Sequence, residues 1–509
     1  VDFSTPAERA AHQKQLLELM ARIAPVKNQV AALDGPYQKH LRDAKLAKLD
    51  AMYRDALAID AKKRTPEQQK LAKDADTLLK ITWDEILAAM TPEDRERRAE
   101  LRAKQHALEA ELPMPPGQAW AIVNAKKVPT TYVLKRGDLK RKLLAVEPSF
   151  PRVLSEISDR RSAEGRKQCN LTATIGGGLL PGAYCLLPAA RLSRLDLAAW
   201  LTEPDHPLTA RVFVNRVWQH HFGRGIVGTP NDFGLRGERP THPELLDWLA
   251  TEFVRSGWSV KHLQRLIVLS NTYRQASHVT PSEQARKVDP DNKLLWRMNR
   301  LRLESEALRD EIVTAAGTLN RELGGPMVRT PLEPEVYDLI FTEGEPDGLW
   351  PVTPDVRQHT RRSIYLFAKR NVRLPLMEAF DQPDRLTPCA ARAVSTFAPQ
   401  ALILMNGPFA RQQARVLAAR LLADSGANLD VAVELAYRRA LGRFPRGNEK
   451  LLARTFLAIQ TESVRERLLA RMMVSIPDGL ADEADPAAAV ALADYCLALF
   501  NSNEFLYVP

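Results

Sequence analysis

The densest run of side chains suited to chemistry lies between residues 207 and 250. Arg211, Asn215 and Gln219 recur every four residues, so on a helix they share one face. Arg216 and His220 share the adjacent face. An arginine and two amides in a row suit an anion or a sugar, with the guanidinium gripping a carboxylate or sulfate at two points. The commoner outcome for such a row is a buried polar network, here one that pins the helix to the glycine-rich loop at 223–237. His220 and His221 are neighbours, and on a helix they point about 100° apart, an awkward angle for gripping one metal. The His-Glu-x-x-His spacing of zinc proteases is absent. His206, His242 and His262 are the imidazoles that folding could bring toward them, although a histidine satisfied within the fold is the commoner outcome. Asn231 and Asp232 sit in a Gly/Pro loop, where such residues either cap turns or face solvent as reactive groups. His221 and Asp232 are therefore the catalytic candidates, and Arg211, Asn215, Gln219 and His220 the binding candidates.

Three further groups invite a chemical reading. Asp381 and Asp384 flank Gln382-Pro383, and two carboxylates can serve a glycosidase as acid and base. The same tetrapeptide makes a good turn, which is the expected role. Ser395-Thr396 reads as a helix N-cap, because no Gly-x-Ser-x-Gly elbow surrounds it. Gly176-Gly177-Gly178 is not a phosphate loop, since no Lys-Ser or Lys-Thr follows.

The elements that must position these groups read as mainly α. Thr65-Pro66-Glu67 and Thr91-Pro92-Glu93 are helix starts, and residues 1–113 form a helical hairpin or coiled-coil-like arm. Its first helix is expected to end near Pro25 and its second to run from Pro36 to Ile59. Residues 114–190 read as a Pro/Gly-rich linker with a small β segment around Thr130–Leu134, a turn at Gly137-Asp138 and an insertion. Residues 191–509 read as a mainly helical domain. It should hold a helix ending at Gly223, a capping box at Thr241–Glu244, a long helix around Leu295–Leu319 and a short one at Pro334–Ile340. Ser363–Ala368 is the clearest strand, and Asn406-Gly407 supplies a left-handed stop between two helices.

Composition excludes several classes. Hydrophobic residues are 45% and charged residues 26% of the 509, as in an ordinary globular chain. No run of about 18 apolar residues could span a membrane. Cys169, Cys185, Cys389 and Cys496 form neither Cys-x-x-Cys nor Cys-x-x-Cys-His, so no zinc ribbon, redox pair or covalent haem is encoded in this chain. Cys169 and Cys185 are either a pair or two free thiols. The net charge of +10 raises nucleic-acid binding as a reading, but acidic residues are interleaved throughout.

Longer stretches carry a resemblance. They are Asn215-Arg216-Val217-Trp218-Gln219-His220-His221-Phe222-Gly223-Arg224-Gly225, Thr229-Pro230-Asn231-Asp232-Phe233-Gly234 and Thr241-His242-Pro243-Glu244-Leu245-Leu246-Asp247-Trp248-Leu249. Arg361-Arg362-Ser363-Ile364-Tyr365-Leu366, Ala440-Leu441-Gly442-Arg443 and Leu499-Phe500-Asn501-Ser502-Asn503-Glu504-Phe505 agree with them. Together they resemble the bacterial family whose C-terminal domain of unknown function accompanies planctomycete-type cytochrome c modules. The resemblance covers about 120–509, apart from the 155–190 insertion. It implies a secretion signal and a c-type haem module ahead of this part of the product, and hence a periplasmic or secreted location. The start at Val1, close to a helical pattern, agrees with a C-terminal part of a longer protein. The family offers no established catalytic residues. The expected function is an extracytoplasmic accessory or binding domain, with a cytochrome c module or another protein as partner and neither cofactor nor metal of its own. The alternatives are an enzyme acting on complex polysaccharide, sulfated or not, and a nucleic-acid binder.

Overall fold

Thr5 opens the first helix: its hydroxyl accepts from the Glu8 amide at 3.2 Å, and the Glu8 carboxylate accepts from the Thr5 amide at 2.7 Å. The computed structural model describes residues 4–113, 129–146, 193–333, 336, 350–370, 372–481 and 484–508. Cys169, Cys185, the Gly176–Gly178 run and the helix expected at Pro334–Ile340 lie outside the described residues, save Val336 alone. The chain is mainly helical, with two small antiparallel sheets of two strands each among the described residues. It divides into two compact units, Val1–Ile122 with Thr318–Leu374, and Val123–Gly317 with Pro375–Pro509.

In the first unit, α1 (Pro6–Lys48), α2 (Ala51–Ala58), α3 (Pro66–Leu78), α4 (Trp83–Ala89) and α5 (Pro92–Ala110) follow one another. Contrary to expectation, α1 does not break at Pro25 or restart at Pro36 but runs through both. Each proline removes a backbone hydrogen bond, at a cost of about 3 kcal/mol. Both sit on the exposed side, while Leu19, Ile23, Val30 and Asp34 keep one buried stripe running past them. The helix is also tied along its length. Arg22 meets Glu111 at 2.8 Å, Lys27 meets Glu109 at 3.1 Å and Lys45 meets Glu85 at 2.8 Å. Rising numbers on α1 meet falling numbers beyond it, so α1 and α5 form an antiparallel hairpin. At its centre Arg98 grips the buried Asp34 carboxylate through two nitrogens, at 2.7 and 3.0 Å.

Within residues 318–374, the strand expected at Ser363–Ala368 is absent. Ser363–Tyr365 is a 3-10 turn, and the segment touches Val328 through one parallel bridge at Leu366. Among the described residues the pairing stops at that bridge, where Val328 exchanges backbone hydrogen bonds with Tyr365 and Phe367 at 2.8 and 2.7 Å, so the β-forming residues gain no ladder. Arg361 fixes the turn instead. Its guanidinium donates to the carbonyls of Glu322, Gly324 and Pro326 and lies 3.8 Å from the Tyr365 ring centre.

The second unit opens with the hairpin β1 (Thr131–Leu134) and β2 (Lys142–Val146), turned through Arg136 and Gly137 at positive φ. Then come α6 (Arg194–Leu201), α7 (Thr209–Phe222), α8 (Pro243–Arg255), α9 (Val260–Leu269) and α10 (Glu283–Val288). Val214, Trp218 and Phe222 of α7 pack with Leu246, Leu249 and Phe253 of α8 and with Leu263 and Ile267 of α9. After β3 (Leu301–Arg302) the helices are α11 (Ser305–Ala315), α12 (Pro375–Ala379), α13 (Ala398–Asn406), α14 (Pro408–Ser425), α15 (Leu429–Ala440), α16 (Gly447–Leu469), α17 (Pro486–Phe500) and α18 (Asn503–Leu506). A larger core joins α11, α14, α15 and α17 through Leu308, Ile312, Leu417, Leu421, Ala436, Leu492 and Phe500.

Two further expectations yield here. The helix expected over Leu295–Leu319 begins only at Ser305, because Leu301 and Arg302 pair with Val508 and Tyr507 of β4 (Tyr507–Val508). Gly407, between α13 and α14, is not left-handed, having a φ of −62°. It is glycine for room, since a Cβ there would run into the Ile403 carbonyl.

Candidate functional site

The start of α7 is prepared by a histidine. His206 Nδ1 accepts from the amides of Leu208 and Thr209, at 3.3 and 3.1 Å. Its ring also meets Trp200 edge-on at 4.6 Å. Burial lowers its pKa against the opposing pull of Glu203 and Asp205, favouring the neutral ring that an accepting nitrogen requires.

The face predicted from spacing is present on α7, and folding gives most of its members definite partners. Arg211 donates to Asp247 at 2.6 Å and to the Pro207 carbonyl at 2.7 Å. Asn215 is fully buried, and both ends of its amide are bound to the backbone of Val227, Oδ1 accepting at 2.8 Å and Nδ2 donating at 3.0 Å. Gly225 must be glycine to let that amide approach, since a Cβ would stand 2.6 Å from Asn215 Nδ2. Arg216 donates to Asn231 Oδ1 at 2.6 Å, and Gln219 donates to the Ala390 carbonyl at 3.4 Å. His220 is exposed.

The catalytic candidates are not brought into contact. His221 Nδ1 bonds the Val217 carbonyl at 2.8 Å, and its ring meets Tyr273 edge-on. Asp232 Oδ1 accepts from the Gly234 amide at 2.8 Å, a turn of its own loop. The Thr241 capping box is replaced as well. Thr241 gives its hydroxyl and amide to the Ile226 carbonyl, at 3.3 and 2.9 Å, and His242 becomes the N-cap residue of α8. A nearby carbonyl outcompeted the helix end. His242 Nδ1 faces the Thr241 hydroxyl at 2.9 Å, and His262 Nε2 faces Glu252 at 2.9 Å, so His206, His242 and His262 serve three different places. Among the described residues no group of three or more His, Cys, Asp or Glu is placed to hold a metal ion.

A cluster that sequence reasoning only grazed lies where β3, the N-terminus of α11 and residues 381–400 meet. Asp381 and Asp384 do not act as a pair. Asp384 caps its own turn, accepting from the amides of Leu386 and Thr387 at 2.6 and 3.1 Å. Asp381, in left-handed backbone, accepts from Arg302 at 2.6 Å and from the Ser395 amide at 2.9 Å and hydroxyl at 2.8 Å. Burial raises its pKa, but the Ser395 amide and Arg302 outweigh that and leave it lowered. Ser395 is therefore not a helix cap: Phe397 precedes α13, and the Ser395 hydroxyl is engaged with Asp381. Beside it, Glu306 accepts from Arg392 at 2.6 Å and from Gln382 at 3.1 Å, while Arg392 also reaches Glu304 at 3.4 Å. Burial works against the Glu306 charge, but Arg392 and Gln382 dominate and hold its pKa at about 2. The one sequence signal was alternation, with Arg302, Glu304 and Glu306 two apart across the start of α11.

This latch mounts the exposed loop at 384–394 and the short helix α13. Gln400 and Leu404 are the residues of α13 turned inward, Leu404 into the larger core and Gln400 donating to the carbonyls of Ala379 and Ser395 at 3.1 Å each. Ala398, Ala401, Leu402 and Met405 all face solvent. Their spacing of three, four and seven is that of a single helical face. Leu402 and Met405 keep 53% and 51% of their surface exposed. An apolar stripe turned outward beside a locked ionic network can hold a partner surface.

The model of one family, PSD1, a protein of unknown function (DUF1553), matches residues 193–457, just over half of the chain. The matched segment contains the α7 face, the latch and α13. No curated protein and no solved structure matches the chain. The chain thus belongs to the PSD1 family of proteins of unknown function (DUF1553).

Proposed function

We propose that this chain is an extracytoplasmic accessory domain that docks a partner protein, a c-type cytochrome module first among candidates. The outward apolar stripe of α13 carries the docking part of this reading. Exposed contiguous apolar surface is costly in water and marks interaction sites in folded proteins. Leu386, Val394 and Phe397 extend the exposed apolar character through the approach to the helix. The latch at Asp381 and Glu306 supports the same reading, because a surface held rigidly loses less entropy when a partner binds. The cytochrome partner and the location outside the cytoplasm rest on the family resemblance of the sequence. No helix among the described residues is long and apolar enough to cross a membrane.

The test has two steps. Sequencing the coding region ahead of Val1 is expected to show a secretion signal and a Cys-x-x-Cys-His motif; an ordinary Met start without that motif overturns the cytochrome partner. Calorimetry of this chain with the encoded haem module is then expected to give saturable binding. The Leu402→Asp/Met405→Asp variant should abolish it while circular dichroism stays unchanged. Binding that survives both charges would overturn the assignment to α13.

A further inference from the structure

Between α9 and β3 the chain folds back on itself around a cleft of about 580 Å³. Its lining includes Ser277, His278, Arg286, Trp296, Arg297 and Arg300, and no carboxylate. The acids close by in sequence are engaged elsewhere. Asp289 accepts from the amides of Lys293 and Leu294, at 2.8 and 2.7 Å. Glu283 pairs with Lys287 at 2.8 Å, and Asp291 with Lys293 at 3.2 Å. Three guanidinium groups therefore face one space without counter-charge in its walls.

Two of the cleft residues are positioned by the fold itself. Trp296 donates its indole N–H to the Asp289 carbonyl at 3.1 Å, which fixes the ring. Arg297 lies 5.2 Å from the Trp296 ring centre and donates to the Ser277 carbonyl at 3.3 Å. Asn292, at positive φ, braces the turn by donating to the Arg297 carbonyl at 2.9 Å and to Asn299 at 2.8 Å. Arg286 and Arg300, by contrast, are exposed, and their guanidinium groups make no hydrogen bond or ion pair among the described residues. A braced ring and arginine thus stand with two uncommitted arginines.

We infer that this cleft binds an oxyanion ester carried on a ring, a sugar sulfate or sugar phosphate. Guanidinium groups grip sulfate and phosphate oxygens at two points, and an indole supplies a flat apolar wall for a ring. The volume suits one or two rings, within the span of roughly 300–1,000 Å³ usual for small-ligand sites. A single-stranded nucleic acid would need successive aromatic platforms along a groove, and Trp296 is the one Phe, Tyr or Trp in the lining. The inference is independent of the docking role of α13, since the two surfaces share no residue.

Calorimetry of the whole chain tests it, with glucose 6-sulfate, glucose 6-phosphate, inorganic sulfate and a short oligothymidylate as probes. The expected result is one-to-one saturable binding of at least one ester, tighter than inorganic sulfate; whichever ester binds more tightly identifies the source. Arg286→Gln and Arg300→Gln, both surface changes that leave the fold intact, should each weaken that binding about tenfold, the loss of one charge-assisted contact. Arg236→Gln, an exposed loop arginine outside the cleft, should leave it unchanged. No saturation below about 10 mM, weaker than any specific site of this size, overturns the inference. So does an equal loss in Arg236→Gln, or inorganic sulfate binding as tightly as the esters. Tighter binding of oligothymidylate than of either ester would overturn it in favour of nucleic acid.

Discussion

Glu306 makes the ionic latch a pH-dependent fastening, and the size of the effect follows from its surroundings. Its carboxyl titrates at about 2 in the folded chain, against an ordinary 4.5. Because the folded value is the lower one, the stabilisation is fully present above pH 4.5 and is lost as the pH falls toward 2. At about 1.4 kcal/mol per pH unit, the difference is worth roughly 3 kcal/mol at neutral pH. The side chain is 31% exposed, so Arg392 and Gln382 act on it across only partly screened space. Glu306→Gln keeps the shape and removes the charge. Hydrogen exchange of peptides spanning 381–400 reads the opening of this segment, and comparing both proteins at one pH cancels the intrinsic exchange rate. At pH 7 the variant should exchange about 100-fold faster or more, the equivalent of roughly 3 kcal/mol. At pH 3, where most of the linkage is gone, the two should differ by only about tenfold. A ratio that is the same at both pH values would refute the reasoning, since it would mean that the charge of Glu306 contributes nothing.

Two other perturbations separate a buried charge from a buried shape. Arg98→Ala leaves Asp34 inside the α1–α5 hairpin without its counter-ion and should cost about 3–5 kcal/mol, whereas the double change Asp34→Leu/Arg98→Met should lie close to the parent or above it. Urea unfolding followed by circular dichroism distinguishes these, and equal losses in both variants would contradict the account. Asn215→Ala strands the amide and carbonyl of Val227 in a buried place, each costing about 1–3 kcal/mol. Limited proteolysis should then cut within residues 225–241 in the variant and spare the parent, and unchanged resistance would show that the loop is held by something else.

Local signals were legible where local physics decides. The end of α7 was readable because Gly223 takes φ of 81°, a conformation costly for other residues, and because Val214, Trp218 and Phe222 repeat at four. The helix starts at Thr65 and Thr91 were readable for the same reason: cap and proline lie within four residues of each other. Illegible were the features set by partners far along the chain. The start of α11 is delayed by residues 507–508, some two hundred positions on. Thr241 could cap α8, yet the carbonyl of Ile226 competes for its hydroxyl. Ser363–Ala368 has strand composition but, among the described residues, pairs through the single bridge to Val328. The latch unites positions 302, 306, 381, 392 and 395, and spacing along the chain carries no trace of that meeting apart from the alternation at 302–306.

The arginines divide into two populations, and the division bears on what the net charge of +10 means. Arg302, Arg309 and Arg361 are almost wholly buried, and burial lowers the pKa of Arg309 to about 10. Desolvating a guanidinium costs several kcal/mol, so each such group must be met by carboxylates, carbonyls or ring faces. Arg302 has Asp381 and the Phe380 ring, Arg361 has three carbonyls and the Tyr365 ring, and Arg309 has Asp310 and the Phe409 ring. Charges held in this way cannot release counter-ions when a polyanion approaches, so they add nothing to binding or to its salt dependence. Arg286 and Arg300, beside Arg297 in the cleft, have no such partner among the described residues. A ligand taken up in that cleft should therefore show a salt dependence of two or three charges, far below the slope of a nucleic-acid groove that tracks many phosphates.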